Sequence, residues 1–231
     1  MSTNSLAQSR SALSEDRSVL SAIYSVGILP AIRVDTVDDA LKAVDALRRA
    51  AVSVCEVAMS STRSTAILRA VLHHVDDQMI VGAGTVLSPE TAACCVHEGA
   101  RFIVTPTLNS LTIAHCRRHG IPIIAGAFTP TEILSAWEAG ASCVKVFPVG
   151  CAGGPSFIRA IKAPMPHIDL LPMGGVSVAT AGAYIRAGAS ALGVGSDLIS
   201  AAGITKQDVS EIVERVNAYR EQIDEVRGAV Q

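Results

Sequence analysis

Aromatic side chains are scarce in this chain: Phe, Tyr and Trp together make up 3% of its 231 residues, although 49% are hydrophobic. The apolar content is therefore mostly Ala, Val, Ile and Leu, the mix of buried parallel strands lying between close-packed helices. Basic runs are missing too, and the formal net charge is -2. With no stripe of basic and aromatic residues, neither a nucleic acid nor an anionic membrane is an expected partner. The six cysteines (Cys55, Cys94, Cys95, Cys116, Cys143 and Cys151) form no CxxC and no metal-ligand spacing with His. Reduced thiols are expected of them, with no disulfides and no metal. The opening MSTNSLAQSRSALSEDRS lacks an apolar stretch and carries Glu15 and Asp16 early, so no signal peptide is expected. The longest strongly uncharged stretch, Leu170 to Ile185, is broken by Pro172, Gly174, Gly175 and Gly182, and is too short to span a bilayer. The expected location is the cytoplasm.

What is present is an alternation. Short apolar segments (GILPAIRV, SVCEVAM, MIVGAG, RFIVTP, IPIIAG, SCVKVF, IDLLPM, ALGVGS) read as strands. Between them lie Ala-rich segments with helical spacing. In Val37–Ala50, for instance, Ala40, Leu41, Val44 and Leu47 share one face and charged residues the other. Further helices are expected over Thr65–Val75, Pro89–Glu98, Ser110–His119, Pro130–Ala139, Ser156–Lys162, Val178–Ala187 and Lys206–Val226. Several end in HEGA, RRHG, EAGA or RAGA, where a glycine closes the last turn. Eight strand-then-helix units predict a closed (β/α)8 barrel. An extra N-terminal helix, roughly Ser5–Ser25 within residues 1–25, is expected to cap its bottom. The whole chain, 1–231, is expected to be one domain.

A barrel of this kind carries its chemistry at the C-terminal ends of the strands. Lys145 lies there, within the apolar run SCVKVFPV. A lysine in a buried strand is costly unless it points into a cavity or is paired, and desolvation leaves part of its amine neutral and nucleophilic. The alternative is a structural lysine that clamps a phosphate or carboxylate. Glu56, within SVCEVAM, faces the same mouth and fits a general acid/base. Its alternative is a buried ion pair with Lys145, which gives little stability by itself. LPMGGVS and LGVGSDL place glycines after strands seven and eight, where backbone N–H groups suit a phosphate. Thr85, ending GAGT, offers a hydroxyl to the mouth for a substrate carboxylate, or else serves as a helix cap or turn. The histidines fall on helices or loops away from strand ends and read as surface residues; Trp137 and Tyr184 read as helix packing.

The ordered set LPAIR, CEVAM, VGAGTVL, FIVTP, VKVFP, PMGGVS and GVGSDL resembles the 2-keto-3-deoxy-6-phosphogluconate aldolase family, which includes 2-keto-4-hydroxyglutarate and 2-keto-3-deoxy-6-phosphogalactonate aldolases. The resemblance runs from about Val26 to the C-terminus. It implies a class I aldolase on a (β/α)8 barrel, a homotrimer without metal or cofactor, acting on a small keto-acid phosphate. It implies that Lys145 is the Schiff-base lysine and Glu56 the acid/base. It further implies that Thr85 meets the carboxylate end of the substrate, that Pro106 and Phe147 contact the substrate, and that Gly174, Gly175, Gly195 and Ser196 hold the phosphate. The arginine that follows the strand-two glutamate in phosphogluconate-type members is Ser60 here, and their threonine after strand seven is Met173. Arg33 matches the strand-one arginine of the phosphogalactonate type, and Arg63 is a second candidate for the carboxylate. Both sugar-acid phosphates therefore remain expected substrates. An unphosphorylated 4-hydroxy-2-oxoglutarate, an isomerase or synthase using Lys145 as a charge clamp, and a non-catalytic ligand-binding barrel are the alternatives.

Overall fold

A computed structural model describes residues 18–199, 204 and 209–229. Residues 18–26 form a helix, α1. Eight strand-and-helix units follow: β1 (Ile28–Ile32) and α2 (Val37–Arg49), β2 (Val54–Ala58) and α3 (Ser64–His74), β3 (Ile80–Gly84) and α4 (Pro89–Glu98), β4 (Ile103–Val104) and α5 (Ser110–Arg118), β5 (Ile123–Ala127) and α6 (Pro130–Glu138), β6 (Cys143–Val146) and α7 (Pro155–Lys162), β7 (Leu170–Pro172) and α8 (Val178–Arg186), β8 (Leu192–Val194) and α9 (Val209–Gly228). A short 3-10 turn, Val149–Ala152, precedes α7. Every expected strand and helix is present within one to three residues of its expected ends. The expected start of the N-terminal helix, and that of the last helix at Lys206, lie outside the described residues.

Local chemistry sets these boundaries. Helix α2 starts at Thr36, whose hydroxyl accepts from the Asp39 N–H, and α4 starts likewise at Ser88. Thr129 and Glu132 form a capping box at α6, satisfying donors that the helix itself cannot. The glycines at the ends of four helices have positive φ: Gly99 at 111°, Gly120 at 69°, Gly140 at 97° and Gly188 at 99°. Each turns the chain directly into the next strand.

The strands run parallel in the order β7-β6-β5-β4-β3-β2-β1-β8. The ring closes between its two ends through one bridge, Met173 with Gly193, and a hydrogen bond from the Ser190 N–H to the Leu170 carbonyl (2.9 Å). Helices cover the outside, so strands are buried on both faces and read as continuous apolar runs. Two cores result. The larger lies between strands and helices. The smaller fills the barrel interior with Leu29, Val54, Phe102, Val104, Ile124, Cys143, Leu171 and Met173. Val19 and Ile23 of α1 are fully buried against this inner cluster, so α1 closes the barrel at its bottom.

The period of two along each strand then fixes the other end. Beyond Leu29 and Ala31 the next inward position is Arg33, beyond Val54 it is Glu56, and beyond Cys143 it is Lys145 and then Phe147. The apolar filling stops one layer short of the mouth, and polar side chains take over there.

Candidate active site

A cavity of about 790 Å3 opens at the C-terminal ends of the strands. Arg33, Glu56, Thr85, Pro106, Lys145, Phe147, Gly174, Gly175, Gly195 and Ser196 all line it, so these ten candidates from the sequence meet in one space. Ser177, Asp197 and Ile199 line it as well. They escaped the sequence reading because they sit in loops, where no periodicity says which way a side chain turns. Arg63 is not among the lining residues; one of its guanidinium nitrogens reaches the Asp35 carbonyl at 3.4 Å, on the neighbouring loop.

Lys145 is 3% exposed and Glu56 1%. Burial pushes the Lys145 amine below the ordinary lysine range; the negative Glu56 pulls it back up and the positive Arg33 pushes it further down. Burial likewise raises the Glu56 carboxyl, against the lowering pull of Lys145 and Arg33. The two groups are not locked together: among the described residues no ion pair joins them, and one Glu56 oxygen, Oε2, is buried without a hydrogen-bond partner. The Lys145 Nζ instead stands 5.1 Å from the centre of the Phe147 ring. At that distance the ring face attracts the ammonium modestly, so it is burial, and not the ring, that favours the neutral amine. An ion pair built for stability would be closer and fully hydrogen-bonded.

Around this pair the site has two ends. At one, Arg33 donates to the Thr85 hydroxyl at 3.0 Å. Thr85 is therefore no helix cap; Ser88 fills that role for α4. A guanidinium with one donor occupied keeps others for a carboxylate. At the other end lie the loops after β7 and β8. Gly174 and Gly175 have φ of 81° and 93°, which orients their N–H groups as no other residue would readily do. Among the described residues, the N–H groups of Gly174, Gly175, Val176 and Ser196 donate to no carbonyl or side chain. Helix α8 begins directly behind the first of these loops. Free N–H groups at a helix N-terminus suit a phosphate. The histidines contribute nothing here: all lie outside the cavity lining and none is buried. Tyr184 is packed in the outer core, and Trp137 lies edge-on to His167 at 6.3 Å between ring centres. Among the described residues, no group of three or more His, Cys, Asp or Glu side chains is placed to hold a metal ion.

A β/α barrel whose mouth holds one buried amine, in no ion pair among the described residues, and one buried carboxylate is suited to the chemistry of lysine-dependent aldolases. Comparison with known proteins narrows this. The model of the KDPG and KHG aldolase family matches residues 19–215, and the chain belongs to that family. It is 34% identical over 197 residues to the 2-dehydro-3-deoxy-6-phosphogalactonate aldolase of Escherichia coli K12, covering 85% of this chain and 96% of the relative. A native KDPGal structure superposes with a TM-score of 0.79 at 31% identity, covering 87% of this chain and 96% of the other. The KDPG aldolase of Legionella pneumophila, solved with pyruvate captured as a covalent carbinolamine, superposes with a TM-score of 0.78 at 26% identity, covering 88% and 97%.

Proposed function

We propose that this chain is a class I aldolase that splits a 2-keto-3-deoxy-6-phospho sugar acid, of the galactonate or gluconate series, into pyruvate and glyceraldehyde 3-phosphate. One observation carries the reading: a buried lysine amine, in no ion pair among the described residues, projects into a cavity that also holds a carboxylate. The neutral Lys145 amine adds to the keto carbon, and loss of water gives an iminium. The iminium draws the electrons of the bond between the third and fourth carbons as that bond breaks. Glu56, its carboxyl raised toward neutrality and so matched to proton transfer, takes the proton from the hydroxyl on the fourth carbon. The aldehyde leaves, and the remaining enamine takes a proton at its third carbon from Glu56. Water then releases pyruvate and the amine. Arg33 and Thr85 hold the carboxylate so that the keto carbon meets the amine. Phe147 and Pro106 wall the reacting carbons, while the N–H groups of Gly174, Gly175 and Ser196 receive the phosphate beside Gly195.

Borohydride reduction in the presence of pyruvate tests this. Mass should be added at Lys145 in the wild type and not in Lys145→Ala; no adduct at Lys145 would sink the scheme. Pyruvate release from the galactonate and gluconate phosphates, measured side by side, then assigns the series.

We further propose a homotrimer. Leu87, Leu111 and Phe128 are 61%, 72% and 40% exposed on three successive units, each at the mouth end of the barrel wall, and such a row is what a subunit contact covers. Light scattering of the wild type against Leu111→Asp checks it. The cytoplasm is the proposed location; the six unpaired cysteines are in keeping with a reducing compartment. None of the described helices is long and apolar enough to cross a membrane.

A further inference from the structure

The two loops assigned to the phosphate meet a side chain that does not line the cavity. Tyr219, in the middle of α9, is fully buried. Its hydroxyl donates to Asp197 Oδ2 at 2.6 Å, and the Val176 carbonyl lies 3.5 Å from the phenol oxygen. Asp197 belongs to the loop after β8 and Val176 to the loop after β7, so one phenol touches both. Arg215, one turn earlier on α9, donates to the Asp197 main-chain carbonyl at 2.6 Å and stands 3.4 Å from its carboxylate. Its Nε also lies 3.9 Å from Glu211.

This arrangement addresses a problem in the site. Asp197 lines the cavity beside Ser196, and a carboxylate there would repel a phosphate dianion. Among the described residues, Arg33 and Lys145 are the only cations lining the cavity, and both serve the keto-acid end of the proposed substrate. The guanidinium of Arg215 neutralises Asp197 from behind, and the phenol takes up one of its carboxylate oxygens. A hydroxyl has one proton to give; burial and the neighbouring carboxylate both keep that proton on Tyr219, so it remains a donor to Asp197.

We propose that Tyr219 and Arg215 are positioning residues for the phosphate end of the substrate. They hold the Asp197 carboxylate out of the anion's way and fix the loop after β8 against the loop after β7, so that the free N–H groups of both converge on one phosphate. The inference rests on the proposed phosphorylated substrate. Neither residue touches substrate, and neither reaches Lys145 or Glu56.

The test compares the phosphorylated 2-keto-3-deoxy sugar acid with the same acid lacking its phosphate, in the wild type and in Tyr219→Phe, Arg215→Met and Arg215→Lys. Borohydride trapping of pyruvate on Lys145 reports the rest of the barrel. The wild type should favour the phosphorylated acid in kcat/KM. Tyr219→Phe and Arg215→Met should raise KM for it by about tenfold each, the worth of a hydrogen bond to a charged group. The unphosphorylated acid and pyruvate trapping should stay within about twofold. Inhibition by inorganic phosphate should weaken in parallel, and Arg215→Lys should recover part of the loss. If both acids lose activity equally, or trapping falls with them, the residues merely support the fold and the inference is overturned. If the wild type favours the phosphorylated acid and the variants keep that preference, the inference fails and the proposed substrate stands. If the wild type shows no such preference, the proposed substrate falls and takes the inference with it.

Discussion

The Arg33 guanidinium donates to the Thr85 hydroxyl at 3.0 Å, across the end of β2, the strand that carries Glu56. The contact fixes Arg33 over the same cavity that Lys145 enters. It comes at a local cost, since Thr85 has a φ of 57°. A β-branched residue in that region stores about 1–3 kcal/mol of strain. A threonine held there for nothing would be hard to explain; one that aims an arginine at a carboxylate is not. Arg33→Met should therefore raise the pyruvate concentration for half-maximal borohydride trapping by about 10–100-fold, the loss of a charge-assisted hydrogen bond. Thr85→Ala should raise it less. An unchanged half-saturation in Arg33→Met would remove the arginine from its place at the carboxylate.

The same three charges set a pH dependence. Burial holds the Lys145 amine below its ordinary value of 10.5, Glu56 raises it and Arg33 lowers it. The rate of imine formation needs the neutral amine, so it should climb with pH and level off with an inflection below 10.5. Glu56→Gln removes the raising influence and should move the inflection to lower pH. Arg33→Met removes the lowering one and should move it to higher pH. Stopped-flow trapping at saturating pyruvate reads both shifts. Two shifts of the same sign would contradict the electrostatic account.

Much of this was legible in the chain itself. Caps such as Thr36 and Ser88 and the terminal glycines of HEGA and RAGA fix the helix ends, because those residues do in isolation what they do in the fold. Glu56 and Lys145 stand out because each is a lone charge in an apolar run at the C-terminal end of a strand. That they and Arg33 face inward follows only once the structure shows Leu29, Val54 and Cys143, two or four residues earlier, in the barrel interior. Other features depend on contacts between distant segments. Nothing local to Tyr219 or Arg215 points to Asp197, 22 and 18 residues away in sequence. Arg63 carries the right charge in the right loop, yet its guanidinium turns to the Asp35 carbonyl. That choice is made by the shape of two loops, which no spacing encodes.

Gly84 bears on Glu56 directly. A Cβ at Gly84 would lie 2.5 Å from the Glu56 carboxyl carbon and from its Oε1. No real contact is that short, and Glu56 is too buried to swing aside freely. Gly84→Ala should displace the carboxylate and slow cleavage by about a hundredfold, as loss of a general acid/base does, while pyruvate trapping on Lys145 persists. Gly99→Ala is the control. There φ is 111° and the nearest atoms are Leu72 methyls at 3.6 Å or more, so it should cost about 1–3 kcal/mol of stability in backbone strain and leave kcat untouched. Full cleavage by Gly84→Ala would mean that the position of Glu56 does not matter.

The buried amine also has a stability signature. Because the Lys145 pKa is lower folded than unfolded, the folded chain binds fewer protons between the two values. Stability must therefore rise with pH through that window, up to the ordinary lysine value of 10.5, and the full cost of burying the charge is felt below it. Glu56 acts in the opposite sense. Its carboxyl is raised above 4.5 in the fold, so its contribution falls as pH climbs past that value. Comparing Glu56→Gln with the double variant Glu56→Gln/Lys145→Met isolates the lysine. Methionine fills similar space and never titrates. The double variant should melt higher near neutral pH, by roughly 2–4 °C for each kcal/mol recovered in a chain of this size, and the gap should close as pH rises toward 10.5. A gap independent of pH would mean that the amine bears no burial cost, and with it the source of its neutral, nucleophilic form would be gone.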